Sequence, residues 1–113
     1  MAKTERYRQL VRDLLAEIAA LENNNPSSSM KTHIVFDDAR DHYMLFRVGW
    51  WHEKRVRVAA LYVRLAGGKI WIEEDRTEDG LATELLAAGV PKEDIVLAFH
   101  HPEIRPFTKF AVA

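Results

Sequence analysis

Tyr7, Leu10, Val11, Leu14, Leu15, Ile18 and Leu21 recur at steps of three and four, which lines up one face of a helix over residues 5–22. Arg6, Arg8, Arg12, Asp13 and Glu17 fall mostly on the other side, and Thr4 stands where an N-cap is expected. An isolated helix of this length is marginal in water, so its apolar stripe must pack against the rest of the chain. Asn23-Asn24-Asn25-Pro26-Ser27-Ser28-Ser29 ends the pattern and reads as a flexible linker over residues 23–30.

From residue 31 to 75 the period changes to two. Thr32, Ile34 and Phe36 alternate with His33, Val35 and Asp37. Met44, Phe46, Val48 and Trp50 then share a face opposite Tyr43, Leu45, Arg47 and Trp51. A third run, Arg55 to Leu65, has its apolar face on Val56 and Val58 first and on Leu61, Val63 and Leu65 afterwards. The phase changes at Ala59-Ala60, which predicts a bulge or a strong twist. Gly67-Gly68 fits a two-residue turn into a fourth run, Lys69-Ile70-Trp71-Ile72-Glu73. Four sequential strands with short turns predict an antiparallel meander.

A second helix is expected near residues 78–88, with an apolar stripe of Leu81, Leu85, Leu86 and Ala88. Thr77 or Asp75 is placed to cap it, and Asp75 with Glu78 has the spacing of a capping box. Gly89 and Pro91 close it in the usual order. Ile95-Val96-Leu97-Ala98-Phe99 reads as a short buried strand. The tail Phe107-Thr108-Lys109-Phe110-Ala111-Val112-Ala113 is apolar enough that it should dock or pair. The fold class expected is α+β: helix, four-stranded antiparallel meander, second helix, short C-terminal strand and docked tail.

Composition adds limits to this outline. At 113 residues, 48% hydrophobic and 29% charged, the chain fits one domain spanning residues 1–113 with a real core. No apolar run is long enough for a membrane span, and the charged N-terminus lacks the apolar stretch of a signal peptide, so the expected location is the cytoplasm. The absence of cysteine excludes disulfides, thiolate metal sites and cysteine nucleophiles. Net charge is −1, but residues 40–69 carry seven Lys/Arg against two acids while residues 73–94 carry eight acids against two basic residues. Such a distribution suits docking to a charged partner, with two ordinary solvated faces as the plainer alternative.

Catalytic patterns are scarce. His100-His101 point to opposite faces if the strand continues, so they are poorly placed to share an ion. Asp37, Asp38 and Asp41 with His42 offer a cation site or acid–base pair, the basis of a weak metal-assisted hydrolase reading at Asp37, Asp41 and His42. The plainer expectation is a turn whose aspartates bond backbone N–H groups, with Arg40 as counter-charge. Serines occur only at 27–29, in the linker, where no base is held against them. No catalytic residue, metal ligand or cofactor is therefore assigned.

Trp50 and Trp51 raise a binding question instead. Adjacent rings face opposite sides of a strand, so one is expected in the core and the other exposed near Arg47, Arg55 and Arg57. An exposed ring there would serve as a protein-binding hot spot or a base-stacking platform. The alternative is that the N-terminal helix covers that face and both rings are structural.

Several strings together resemble one family. They are Phe36-Asp37 with Arg40-Asp41-His42-Tyr43 and Gly49-Trp50; Gly68-Lys69-Ile70-Trp71-Ile72 leading to Asp75 and Thr77-Glu78; Gly89-Val90-Pro91-Lys92-Glu93-Asp94-Ile95-Val96-Leu97-Ala98-Phe99-His100; the Arg6-Tyr7-Arg8 helix; and the ending Phe110-Ala111-Val112-Ala113. In order and spacing the chain resembles the XisI-like family, the fdxN element excision controlling factors of cyanobacteria. The resemblance implies a part in programmed DNA excision during heterocyst development, in support of a separate recombinase. It also implies a companion, the XisH-like protein, which is nuclease-like, and it brings no catalytic residues. The first expectation is thus a non-catalytic regulatory factor acting through that companion. Its partner-binding candidates are Trp50, Trp51, Glu73, Glu74 and Asp79, the last three as an acidic mimic of nucleic acid. The second is direct DNA binding through Arg47, Lys54, Arg55, Arg57 and Arg64. A homo-oligomer is compatible with either.

Overall fold

Two periods, 3.6 and 2, sort the apolar residues of this chain onto one shared layer. The computed structural model describes residues 2–113. Helix α1 spans Lys3–Asn23, followed by strands β1 (Met30–Asp37), β2 (His42–Trp51), β3 (Lys54–Ala66) and β4 (Lys69–Asp75). Helix α2 (Leu81–Ala87) then crosses over to strand β5 (Ile95–Leu97). The sheet order is β1-β2-β3-β4-β5, antiparallel throughout the meander, with β5 parallel to β4. A parallel partner requires a crossover, and α2 supplies it.

The core is a single layer between the helices and one sheet face. Tyr7, Val11, Leu15 and Ala19 of α1 meet Tyr43, Leu45, Leu61, Val63, Ile70 and Ile72, with Leu81 and Leu85 of α2 in the same cluster. Leu10, Leu14 and Ile18 pack at its margin, as the stripe predicts. Leu21, grouped with them by spacing, is instead 69% exposed, because the sheet-facing line of α1 continues from Ala19 to Glu22 and Asn23, which bond to β1 and β2. Ala19 takes the buried position in the last turns, a residue whose small side chain gives no periodic signal.

Phase changes in the strands are bulges. Between Leu45 and Phe46 the register of β2 on β3 slips, leaving Ala60 as the extra, fully buried residue. A second slip opposite Tyr62 and Val63 leaves Glu73 unpaired in β4. Gly67 and Gly68 both have positive φ, at 60° and 75°, as a tight hairpin turn of this hand demands.

The helix ends differ from the expectation. Thr4 lies inside α1; the N-cap is Ala2, which makes no side-chain cap bond. Helix α2 starts at Leu81 rather than near residue 78. Asp75 still serves its N-terminus, but from six residues away: its carboxylate accepts from Leu81 N–H at 2.6 Å and from Thr77 N–H at 2.9 Å. Glu78 takes no part, so the capping box is replaced by an aspartate fixed at the end of β4. At the other end Gly89 (φ 94°) permits a Schellman closure, Val90 N–H to Leu85 C=O and Gly89 N–H to Leu86 C=O.

The segment expected as a linker is pinned at both ends. Asn23 donates from Nδ2 to the Thr32 carbonyl and accepts from the Thr32 N–H. Ser29 Oγ donates to the Trp50 carbonyl at 2.9 Å. The tail docks through Ala111, which bridges Val96, and Phe110, which packs against the core, while Phe107 and Val112 of the same apolar stretch stay exposed. Arg105 donates to the carbonyls of Ala98, His100 and Val112, tying the tail to the end of β5. No helix among the described residues is long and apolar enough to cross a membrane.

Candidate functional site

Polar ties between α1 and the sheet account for most of the residues that looked chemical in sequence. Arg8 holds both oxygens of Asp41, at 2.8 and 3.3 Å, and Arg12 reaches Asp38 at 2.7 Å. The Tyr43 hydroxyl donates to Asp38 and Asp41, each at 3.0 Å, from a fully buried ring. Asp37 accepts from the Arg40 backbone and guanidinium. His42 Nδ1 sits 2.8 Å from the Tyr62 hydroxyl, away from the aspartates. Each carboxylate of the Asp37–Asp41 turn is therefore engaged by an arginine. Among the described residues no three His, Asp or Glu side chains come together as ligands for a metal.

These ties make the fold acid-sensitive. The Arg8 bonds hold Asp41 below the usual carboxylate range against partial burial, with Tyr43 adding to the effect. Glu22 is held low likewise, chiefly by its two bonds from Arg47 and also by Thr32 Oγ1. A carboxyl whose folded pKa is depressed stabilises the fold above its unfolded value, near 4, and that stabilisation is lost as pH falls through the folded value. Thermal denaturation across pH should therefore show a melting temperature level near neutrality that falls below about pH 4. Glu22→Gln should lower the neutral plateau and shrink the acid fall; an unchanged slope would remove Glu22 from the account. On α1's first turn, burial and then Asp94 push the Tyr7 hydroxyl up to about 12, so it stays a donor to Asp94 at neutral pH.

The basic candidates do not form one surface. Arg47 points to the helix side and is bound by Glu22 at 2.7 Å. Arg64 is bound by Glu73 at 2.6 Å across β3 and β4 and stacks over Trp71. Lys54, Arg55 and Arg57 remain exposed near the β2–β3 hairpin, with Arg55 5.1 Å from the Trp50 ring centre. The acidic candidates separate as well: Glu73 faces Arg64, Glu74 is paired with Arg76, and Asp79 lies before α2. The charge blocks seen along the chain thus partly cancel in space, because adjacent antiparallel strands bring them together.

Neither tryptophan is in the core. Trp50 is 51% exposed and Trp51 68% exposed, since both lie at the hairpin tip, beyond the reach of α1. Their faces do differ: Trp51 continues the Tyr43–Leu45 side, and Trp50 the side opposite the helices.

That opposite side is the feature sequence reasoning left undecided. Both helices pack on the Tyr43–Leu45 face. Met44, Phe46, Val48 and Trp50 of β2, with Val35 of β1 and Tyr62 of β3, consequently form an uncovered apolar strip, flanked on β1 by Lys31 beside Val48 and His33 beside Phe46. Arg55 and Arg57 stand at one end of it, opposite Trp50 and Val48 in register. The alternating pattern showed the face; the equal apolarity of both sides of β2 hid which one was the core.

The chain is thus a one-sided α+β sheet with α1 tied to it by ion pairs and with one apolar face left open. The chain belongs to the XisI family, whose model matches residues 1–112. It is similar in structure to the fdxN element excision controlling factor XisI from Anabaena variabilis ATCC 29413, with TM-score 0.85 and 38% identity over 99% of this chain and 100% of that one. It is also similar to a XisI-like protein from the same strain, with TM-score 0.86 and 32% identity over 96% of this chain and 97% of the other. None of the functionally curated proteins matches it.

Proposed function

We propose that this protein is a non-catalytic controlling factor for excision of a DNA element, acting in the cytoplasm through a companion of the XisH-like kind. Membership of the XisI family supports the process. The observation that carries the mode of action is the open sheet face, with Phe46 and Val48 half-buried at its centre and Val35 and Trp50 exposed at its margin. An apolar centre with an aromatic and arginine margin is what a protein partner's hot spot fits. The turn bearing Asp37, Asp41 and His42 supports no hydrolytic role, because its carboxylates already serve Arg8, Arg12 and Arg40.

Co-expression with an XisH-like protein is expected to yield a complex. Trp50→Ala with Val35→Asp should weaken it by about thirtyfold or more, the scale of a hot-spot loss. A folded double variant that binds with unchanged affinity would remove the open face from this role. Failure of the native chain to bind any XisH-like protein would overturn the reading itself. Direct duplex binding keeps Lys54, Arg55 and Arg57 of its five candidates. With so few phosphate contacts, its salt dependence would be shallow.

A further inference from the structure

The sheet has two edges, and the chain closes them unequally. Beside β5 the tail adds a bridge from Ala111 to Val96, with Ala111 N–H bound to the Ile95 carbonyl at 2.9 Å. Beside β1 the cover is made of side chains and stops halfway. Ser28 Oγ accepts from Met30 N–H at 3.1 Å, and Asn23 takes both the N–H and the carbonyl of Thr32. In an antiparallel ladder a residue turns both backbone groups to the same side, and that side alternates along the strand. Strand β1 pairs with β2 without a register shift, so Ile34 and Phe36 point outward as Met30 and Thr32 do. Among the described residues, the outward N–H and C=O groups of Ile34 and Phe36 have no partner. The helix leaves room beside them. Arg12 lies 5.6 Å from the Phe36 ring centre, and Asn23 sits on Thr32. Between these contacts α1 presents Ala16 and Ala19, too short to cover Ile34, which is 45% exposed.

We propose that this half-open edge pairs with the same edge of a second copy of the chain, antiparallel and centred on Val35. The free groups belong to two residues placed symmetrically about Val35. A two-fold axis there sets Ile34 of each copy against Phe36 of the other. Each such pair exchanges two hydrogen bonds, which satisfies every free group on both edges. The plug selects this register. A centre at Ile34 would set Phe36 against Thr32, whose groups Asn23 already holds. A centre at Phe36 would set Ile34 against Asp38, in the turn beyond β1. The side chains agree with the choice. On the open side Val35 meets Val35, and the exposed His33 stands across from Asp37, a carboxylate that also serves Arg40. With the axis perpendicular to the sheet, the two five-stranded sheets run on as one and the helices of both copies stay on the same side. The assembly closes at two copies, because each has one such edge. Phe46, Val48 and Trp50 remain uncovered, so the pairing does not depend on the companion proposed above.

Analytical ultracentrifugation of the full chain is expected to show a dimer at micromolar concentration. Ile34→Pro removes an N–H that makes no bond inside the monomer, so it should spare the fold. The two bonds it deletes across the axis should raise the dissociation constant about tenfold or more. Circular dichroism checks the fold, and Ile34→Lys, which places a charge on the edge, replaces the proline variant if β1 is disturbed. The native chain has no cysteine, which permits a test of register. Val35→Cys should form a disulfide across the axis under mild oxidation, since facing Cα atoms of a non-hydrogen-bonded pair lie about 4.5 Å apart. Lys31→Cys should not, because the two copies of that position lie more than roughly 20 Å apart in this register. A native chain that stays monomeric overturns the proposal. So does a dimer indifferent to both Ile34 variants, one lost on Trp50→Ala, or a disulfide that forms as readily at Lys31→Cys as at Val35→Cys. None of these readouts needs a companion protein, so their failure is distinct from failure of the companion reading.

Discussion

Leu15→Ala is expected to destabilise the fold by about 2–5 kcal/mol, the range for opening a cavity in a close-packed core. Leu15 is fully buried on α1, between Val11 and Ala19, and belongs to the core cluster that includes Tyr43, Leu45 and Leu61. The surroundings have little freedom to close over the gap. Arg8 and Arg12 tie one end of α1 to the β1–β2 turn, and Glu22 with Asn23 ties the other end to β1 and β2. A helix pinned at both ends cannot settle toward the sheet far enough to fill the space of the three missing carbons, so the cavity persists. Urea denaturation should show a lower midpoint with little change in slope. A loss under about 1 kcal/mol would mean that α1 docks loosely and that the polar ties carry the contact.

Gly49→Ala should cost about 1–3 kcal/mol by overpacking, although it adds one methyl group and leaves φ unstrained. Gly49 is buried opposite Met30 in the β1–β2 ladder. A Cβ there would stand 2.5 Å from Met30 Sδ and 2.8 Å from Met30 Cα, and it would also strike the Ser29 carbonyl oxygen. The sulfur can swing aside, but the other two atoms are backbone. Strand β1 must therefore move off β2 at its first residue. That movement also strains the Ser29–Trp50 hydrogen bond that anchors the start of β1 beside the hairpin. Denaturation would give the loss, and amide exchange should localise it to Met30, Lys31 and their partners on β2. An alanine variant as stable as the native chain, with unchanged exchange, would show that β1 accommodates the methyl group.

Much of the architecture follows from local rules. The stripe from Tyr7 to Ile18, the phase change at Ala59-Ala60, the Gly67-Gly68 turn and the Gly89 closure each depend on a few neighbouring residues, and each is found where its pattern predicts. The misplaced details involve residues distant in sequence. Asp75 caps α2 from the end of a strand instead of through a capping box, and Ala2 opens α1 in place of Thr4. The candidate sites fared less evenly for the same reason. A charge block in sequence becomes a surface only if its members share a face, and Arg47 and Arg64 were drawn instead into pairs with Glu22 and Glu73.

The amino-acid sequence alone determined the element types, the meander, the bulge and the family, because periodicity and turn chemistry are local and the family's strings run along the chain. Which side of β2 became the core was decided only in three dimensions. Both faces of that strand are apolar, and the choice rests on where α1 lands, held by Arg8, Arg12 and Glu22. That landing leaves Trp50 and Trp51 outside the core and one sheet face uncovered. It also sets Glu17, Glu78, Asp79 and Glu84 around a groove lined by Leu14, Ile18 and Leu81.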